Sequence, residues 1–173
     1  LDLTNNGLTS IPTQVRALTK LMTLELDENR LALAPDMFNA LISHPTQTAL
    51  RYLGLKRSFV TRVVAGEAVD NVLPAAAMQT LARIPHLRAL DLASNALTLD
   101  DAACMALGQL RELETLRLQR NHIRLTEAGR SALAGLTRLQ TLDLNGNPLG
   151  LPPVVERMLS LRNLGLSGTG IDT

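Results

Sequence analysis

One eleven-residue phrase, L-x-x-L-x-L-x-x-N-x-L, constrains this chain more than any other feature. It is complete four times, at Leu21, Leu24, Leu26, Asn29 and Leu31, then from Leu87 to Leu97, Leu113 to Ile123 and Leu139 to Leu149. A copy lacking its front opens the chain at Leu1, Leu3, Asn6 and Leu8, and copies around Ser58 and Thr169 have lost the Asn, which makes seven units. In L-x-L the leucines lie two apart, so on a strand they face one side while their neighbours face the other. One short strand cannot bury that face alone. Units stacked side by side can, and they build a parallel sheet with a continuous leucine core behind it. The Asn falls where the chain leaves the strand, and its amide both donates and accepts, which suits a buried turn. Ser58 and Thr169 can meet only part of that need, so their turns should be looser or closed differently.

A phrase returning at such intervals is the mark of a leucine-rich repeat solenoid. The expected fold is α/β, a horseshoe with a parallel concave sheet of about seven strands and short convex helices, forming a single leucine-rich repeat domain over residues 1–173. Successive ladder positions Asn6, Asn29, Ser58, Asn95, Asn121, Asn147 and Thr169 are 23, 29, 37, 26, 26 and 22 residues apart. The longest interval contains Thr61 to Asn71, TRVVAGEAVDN, without a leucine or a clear period, and reads as an insertion or enlarged loop over 61–71. Helix-start chemistry followed by apolar residues at helical spacing predicts convex helices over Pro35 to Ser43, Pro74 to Arg83, Asp100 to Leu107 and Thr126 to Leu133. Pro12 precedes a short helical turn, and Pro152 and Pro153 open a last helix ahead of Val154 and Met158. Because residue 1 falls inside one phrase and residue 173 just after another, the chain reads as a fragment of a longer protein.

Composition removes several functional classes. Net charge is +1, from 17 basic and 16 acidic residues, so no bulk field recruits nucleic acid or an anionic membrane. The longest apolar run, near Val72 to Met78, is far short of the roughly 20 residues of a membrane span. A single Cys rules out an internal disulfide and points to a setting that does not depend on one.

Candidate chemistry is thin. Gly165, Gly168 and Gly170 in GLSGTG resemble a phosphate loop, but that motif must lead into a helix and only Ile171, Asp172 and Thr173 follow, so a repeat turn is the better reading. Cys104 sits among Ala, Met and Leu as a small buried hydrophobe, with no basic group in sequence to activate it. His44 and His86 stand beside Pro45 and Pro85 as turn residues. With His122 they occupy three different repeats, which argues against zinc. Asp100 and Asp101 stand where a helix cap belongs. No catalytic residue, cofactor or metal is expected.

What remains is the concave face. The first two repeats present Asp2, Thr4, Thr23, Glu25, Asp27 and Glu28, and the third presents Tyr52, Gly54, Lys56 and Arg57. Asp91 follows in the fourth, Arg117, Gln119 and Arg120 in the fifth, and Asp143 in the sixth. Charge is segregated along the groove, acidic at one end and basic in the third and fifth units, which would steer and register a complementary protein. The competing reading is that these are ordinary solvated strand positions. Tyr52, read as exposed and flanked by Arg51 and Arg57, is a residue type enriched at binding hot spots. Partner-binding candidates are therefore Glu25, Asp27, Glu28, Tyr52, Lys56, Arg57, Asp91, Arg117, Gln119, Arg120 and Asp143.

The phrases NRLALAPDMF, from Asn29, and LRNLGLSGTGI, from Leu161, resemble the repeat region of large proteobacterial proteins. In these, leucine-rich repeats precede a novel-type E3 ubiquitin ligase domain. The resemblance covers the whole chain. It implies a bacterial effector secreted into a host cell, whose repeats select the host protein to be ubiquitinated and restrain the ligase until it is engaged. The ligase's Cys-x-Asp motif has no match, since Met105 and Ala106 follow Cys104, so that activity would lie outside this chain. The repeats also differ from the compact L-P-x-L-P repeats of enteric members. Two readings follow: a protein-recognition module working through its concave face, or a structural repeat domain that self-associates or docks a neighbouring domain.

Overall fold

A computed structural model describes residues 1–42, 49–60, 62–64, 67–153 and 155–171. Ser43, His44, Pro45, Thr61, Ala65, Gly66, Val154, Asp172 and Thr173, on which the sequence reading drew, lie outside them.

Each L-x-L becomes the centre of a three-residue strand: β1 (Thr23–Glu25), β2 (Tyr52–Gly54), β6 (Ala89–Asp91), β8 (Thr115–Arg117), β9 (Thr141–Asp143) and β10 (Asn163–Gly165). They form one six-stranded sheet in the order β1-β2-β6-β8-β9-β10, every pair parallel. The first unit adds a single bridge, Asp2 to Glu25, so seven units yield six strands rather than seven. Register is exact across the stack in the leucine column. Leu24, Leu53, Leu90, Leu116 and Leu142 are each at most 1 % exposed, whereas Leu164 on the end strand is 39 % exposed. Burying one such side chain contributes roughly 1.5–3 kcal/mol, so this column and its partner Leu26, Leu55, Leu92, Leu118 and Leu144 account for much of what offsets chain entropy.

The Asn ladder ties each coil to the one before it. The Asn121 Oδ1 accepts from the N–H groups of Asn95 (2.9 Å) and Leu97 (3.0 Å), while its Nδ2 donates to the carbonyls of Leu92 and Leu118, both at 2.9 Å. Asn29 makes the same set to Asn6, Leu8, Leu3 and Leu26. Ser58 donates to the Leu26 carbonyl at 2.7 Å, and the acceptor role passes to its own backbone oxygen, which takes the Leu31 N–H at 2.7 Å. Thr169 does likewise for Leu149 N–H at 3.3 Å. These two turns are closed by main chain where the others are closed by an amide.

On the convex side α1 (Ala75–Leu81), α2 (Asp101–Leu107) and α3 (Glu127–Ala134) pack side by side in that order. Two starts are capped as their sequence requires: the Asp100 carboxylate accepts from Ala103 N–H at 2.7 Å and the Thr126 hydroxyl from Gly129 N–H at 3.0 Å. Asp101 also accepts from the Thr126 hydroxyl, linking α2 to α3. Pro12 leads into a 3-10 turn, Thr13–Ala17. The helix expected over Pro35 to Ser43 is instead a run of turns ending in a 3-10 turn, Asn39–Leu41. Its bonds run from Asn39 N–H to Asp36 and from Leu41 N–H to Phe38, both at 2.9 Å. Three residues per turn set Phe38 and Leu41 on the same face, and both are buried. The last predicted helix is also reduced to a 3-10 turn, Val155–Arg157, after two prolines that lack N–H donors.

Within 61–71, β3 (Arg62–Val64) and β4 (Glu67–Val69) form an antiparallel hairpin. Its return strand β5 (Asn71–Val72) pairs in parallel with β7 (Leu97–Thr98). Asn71 is buried and its Nδ2 donates to the Asn95 carbonyl at 2.8 Å, and the Asp70 carboxylate contacts His122 Nδ1.

Candidate functional site

The register sorts the concave side chains into three rows. The first runs Thr23, Tyr52, Ala89, Thr115, Thr141, Asn163, and the second Glu25, Gly54, Asp91, Arg117, Asp143, Gly165. The third, at the end of the strands, runs Asp27, Lys56, Ala93, Gln119, Asn145, Ser167, held by bonds such as Glu28 N–H to Lys56 O and Arg57 N–H to Ala93 O.

The acidic candidates gather around Tyr52, which is half-buried rather than exposed. Its ring lies over Gly54: a Cβ there would come within 3.2 Å of the Tyr52 ring and hydroxyl and 2.9 Å of Asp27 Oδ1. Burial raises the pKa of the Tyr52 phenol, and the charges of Asp91, Asp27 and Glu25 raise it further, with Arg117 opposing. The charges around this ring are therefore three carboxylates from two coils and the cation Arg117, where the sequence reading placed Arg51 and Arg57. Arg57 turns to the sheet edge and approaches Glu28 at 3.8 Å.

Several of these carboxylates also serve the backbone. Asp2 accepts from Thr4 N–H (2.9 Å), Asp91 from Ala93 N–H (3.0 Å) and Asp143 from Asn145 N–H (3.0 Å), each closing its own strand end as Asp does in turns. Asp27 reaches further, to Lys56 N–H at 2.9 Å in the next coil. Burial raises the Asp27 pKa, the Lys56 bond lowers it, and Asp91 and Glu25 raise it again.

Beyond the third row the chain turns, and every coil does so with a left-handed residue just before its ladder position. These are Asn5, Glu28, Arg57, Ser94, Arg120, Gly146 and Gly168, with φ between 52° and 66°. The basic candidates meet here. Lys56, Arg57 and Arg120, with Ser94, Gln119, Asn145, Gly146 and Ser167, line a depression of about 520 Å³. Gln119 Oε1 is buried there without a hydrogen-bond partner. Lys56, Arg57 and Arg120 thus gather at the turn edge, while Arg117 stays mid-sheet between Asp91 and Asp143 and Glu28 shares the turn column with Arg57. The sequence places Ser94 and Asn145 on the concave face as well, but they are not among the partner-binding candidates, since their only signal is their ladder offset.

Elsewhere the face offers little chemistry. Cys104 is 3 % exposed, and burial with Asp101 and Asp100 pushes its thiol up to about 11, so it stays protonated. Gly168 and Gly170 occupy left-handed turn positions. Among the described residues no three His, Cys, Asp or Glu side chains converge as a metal would need, and no helix is long and apolar enough to cross a membrane.

The chain has the leucine-rich repeat fold, a solenoid with a parallel sheet on one side and few helices on the other. The family model described as Leucine rich repeat matches residues 85–149. Internalin C2 of Listeria monocytogenes is similar, with TM-score 0.69 and 25 % identity over 95 % of this chain and 59 % of internalin C2. The ectodomain of the Arabidopsis thaliana receptor kinase GASSHO1/SCHENGEN3, solved in complex with Casparian strip integrity factor 2, gives TM-score 0.61 and 24 % identity over 90 % of this chain and 16 % of that one. A leucine-rich repeat protein of Leptospira interrogans gives 0.57 and 22 %, covering 96 % of this chain and 42 % of its own. The chain thus spans less than two thirds of each of these three. No curated protein matches it. Domains of this fold are typically binding scaffolds that mediate protein–protein interaction.

Proposed function

We propose that this chain is a protein-recognition module, the target-recognition arm of a bacterial effector that carries or accompanies an E3 ubiquitin ligase, and that it holds a host protein on its concave face. The observation that carries the reading is the acidic rim. Glu25 and Asp27 from one coil and Asp91 from another surround one half-buried tyrosine, an aromatic anchor in an acidic setting that Arg117 only partly offsets. A basic segment of a partner fits that rim, and long-range attraction would speed its approach. The similarity to internalin C2 supports a bacterial setting.

The test is capture from host-cell lysate by wild type and by the variant Glu25→Lys/Asp27→Asn/Glu28→Lys. Asn at 27 keeps an oxygen for the Lys56 N–H, so the fold should persist. The variant should lose the wild-type partner. Recovery of the same proteins by both would end the acidic-rim reading. A mass in light scattering that rises with concentration would favour self-association instead. A Cys-x-Asp motif in a helical region of the same polypeptide would support the ligase association.

A further inference from the structure

We infer that the depression at the turn edge of the concave face is an oxyanion pocket, which anchors one acidic group of the partner protein, either a phosphorylated side chain or a carboxylate. The inference rests on the concave-face reading and adds the chemistry of one contact. Three cations line the depression and no carboxylate does. Among the described residues, neither Lys56 nor Arg120 takes part in an ion pair, and Arg57 meets Glu28 only at 3.8 Å with both side chains about half exposed. Such a pair contributes little and is readily exchanged for a better acceptor.

The backbone builds the cup. Arg57, Ser94, Arg120 and Gly146 occupy the same left-handed turn position in four successive coils. Two guanidiniums therefore rise from one column, separated by a serine, with a glycine beyond that leaves the floor open. Guanidinium forks match oxyanion geometry and can bond it twice, and the Ser94 and Ser167 hydroxyls add donors. The surroundings choose a single anionic group over a polyanion. Asp91 and Asp143 stand in the row beside the cup with only Arg117 between them, so a nucleic-acid backbone laid along that row would meet two carboxylates for one cation.

The test is a titration of the isotope-labelled chain with inorganic phosphate and, separately, with acetate, followed by amide NMR shifts. Saturable shifts are expected at Arg57, Ser94, Arg120 and Gly146. They should weaken by at least about tenfold in Lys56→Gln/Arg120→Gln, which removes two of the three cations. Gly146→Asp should abolish them by filling the cup from within: a Cβ there meets nothing closer than 3.7 Å, and Asp tolerates this backbone. Arg83→Gln/Arg111→Gln, which removes equal charge elsewhere, should leave them unchanged. Phosphate saturating first identifies a phosphorylated group, and acetate saturating first or equally identifies a carboxylate. Shifts that do not saturate, or that survive Gly146→Asp, overturn the pocket. So does a single-stranded DNA that binds the same amides more tightly per phosphate than phosphate itself. Saturable, Gly146-sensitive shifts with partner capture unaffected by the rim variant would uphold the pocket and refute the rim. Absent shifts with capture lost in the rim variant would do the reverse.

Discussion

Asp27 differs from Asp2, Asp91 and Asp143 in one respect: its carboxylate secures the next coil instead of its own strand end. Partial burial, with Asp91 and Glu25 nearby, holds its pKa above the ordinary carboxylate range despite the Lys56 bond. A raised folded pKa means the native state binds this proton more tightly than the unfolded chain does. The stability it contributes is therefore complete below the unfolded value, about 3.9, and is lost as pH rises through the folded value. Asp27→Asn keeps the acceptor and removes the charge, so it should stabilise the fold at neutral pH. The gain should fade as pH falls below about 4, where wild type is itself neutral. Urea denaturation at the two pH values measures this, and a variant less stable than wild type at neutral pH would contradict it. The same residue illustrates why site roles were only half legible. Its position on the concave face follows from alternation, but its reach to Lys56 depends on a coil 29 residues away.

At the level of elements, the helices α2 and α3 meet through glycine. A Cβ on Gly108 would lie 2.7 Å from the Ala132 carbonyl oxygen, a backbone atom that cannot step aside. Gly108→Ala should destabilise by about 1–3 kcal/mol through overpacking. Gly129→Ala, inside α3, meets nothing closer than the Cys104 sulfur at 3.4 Å, with the Thr126 hydroxyl at 3.5 Å and the Leu125 methyl at 3.6 Å, and should be neutral or stabilising by up to about 1 kcal/mol. Thermal unfolding of the two variants separates them, and equal effects would mean that the helices do not pack this closely. The strands and the caps at Asp100 and Thr126 were legible because each depends on residues within a few positions of one another. The 3-10 turn at Asn39–Leu41 was not, since its choice over an α-helix hangs on Phe38 and Leu41 both finding the core. Nor was the left-handed column, because Glu28, Arg57 and Arg120 carry no local mark of positive φ. The basic depression was legible residue by residue at Lys56, Arg57, Gln119 and Arg120. Their convergence was hidden by unequal repeat lengths.

Across the whole molecule, stability in a stack of coils is the sum of each coil and its contacts with its neighbours. The Asn ladder is the polar part of those contacts. Asn121 makes four hydrogen bonds across two coils, whereas Ser58 has one hydroxyl proton, given to Leu26 O at 2.7 Å with Lys56 O a second acceptor at 3.1 Å. Each buried backbone group left without a partner costs about 1–3 kcal/mol, so Asn121→Ala should cost at least about 3 kcal/mol and clearly more than Ser58→Ala. Urea midpoints decide the comparison, and equal losses would show that the amide is dispensable. The left-handed kink before each ladder residue has another outcome. Asparagine, glutamate, arginine, serine and glycine all perform it in this one chain, so the bend asks nothing of the letter written there. The outer margin of the horseshoe can be respelled, one character per coil, while the leucine and asparagine text that folds it is left uncorrected.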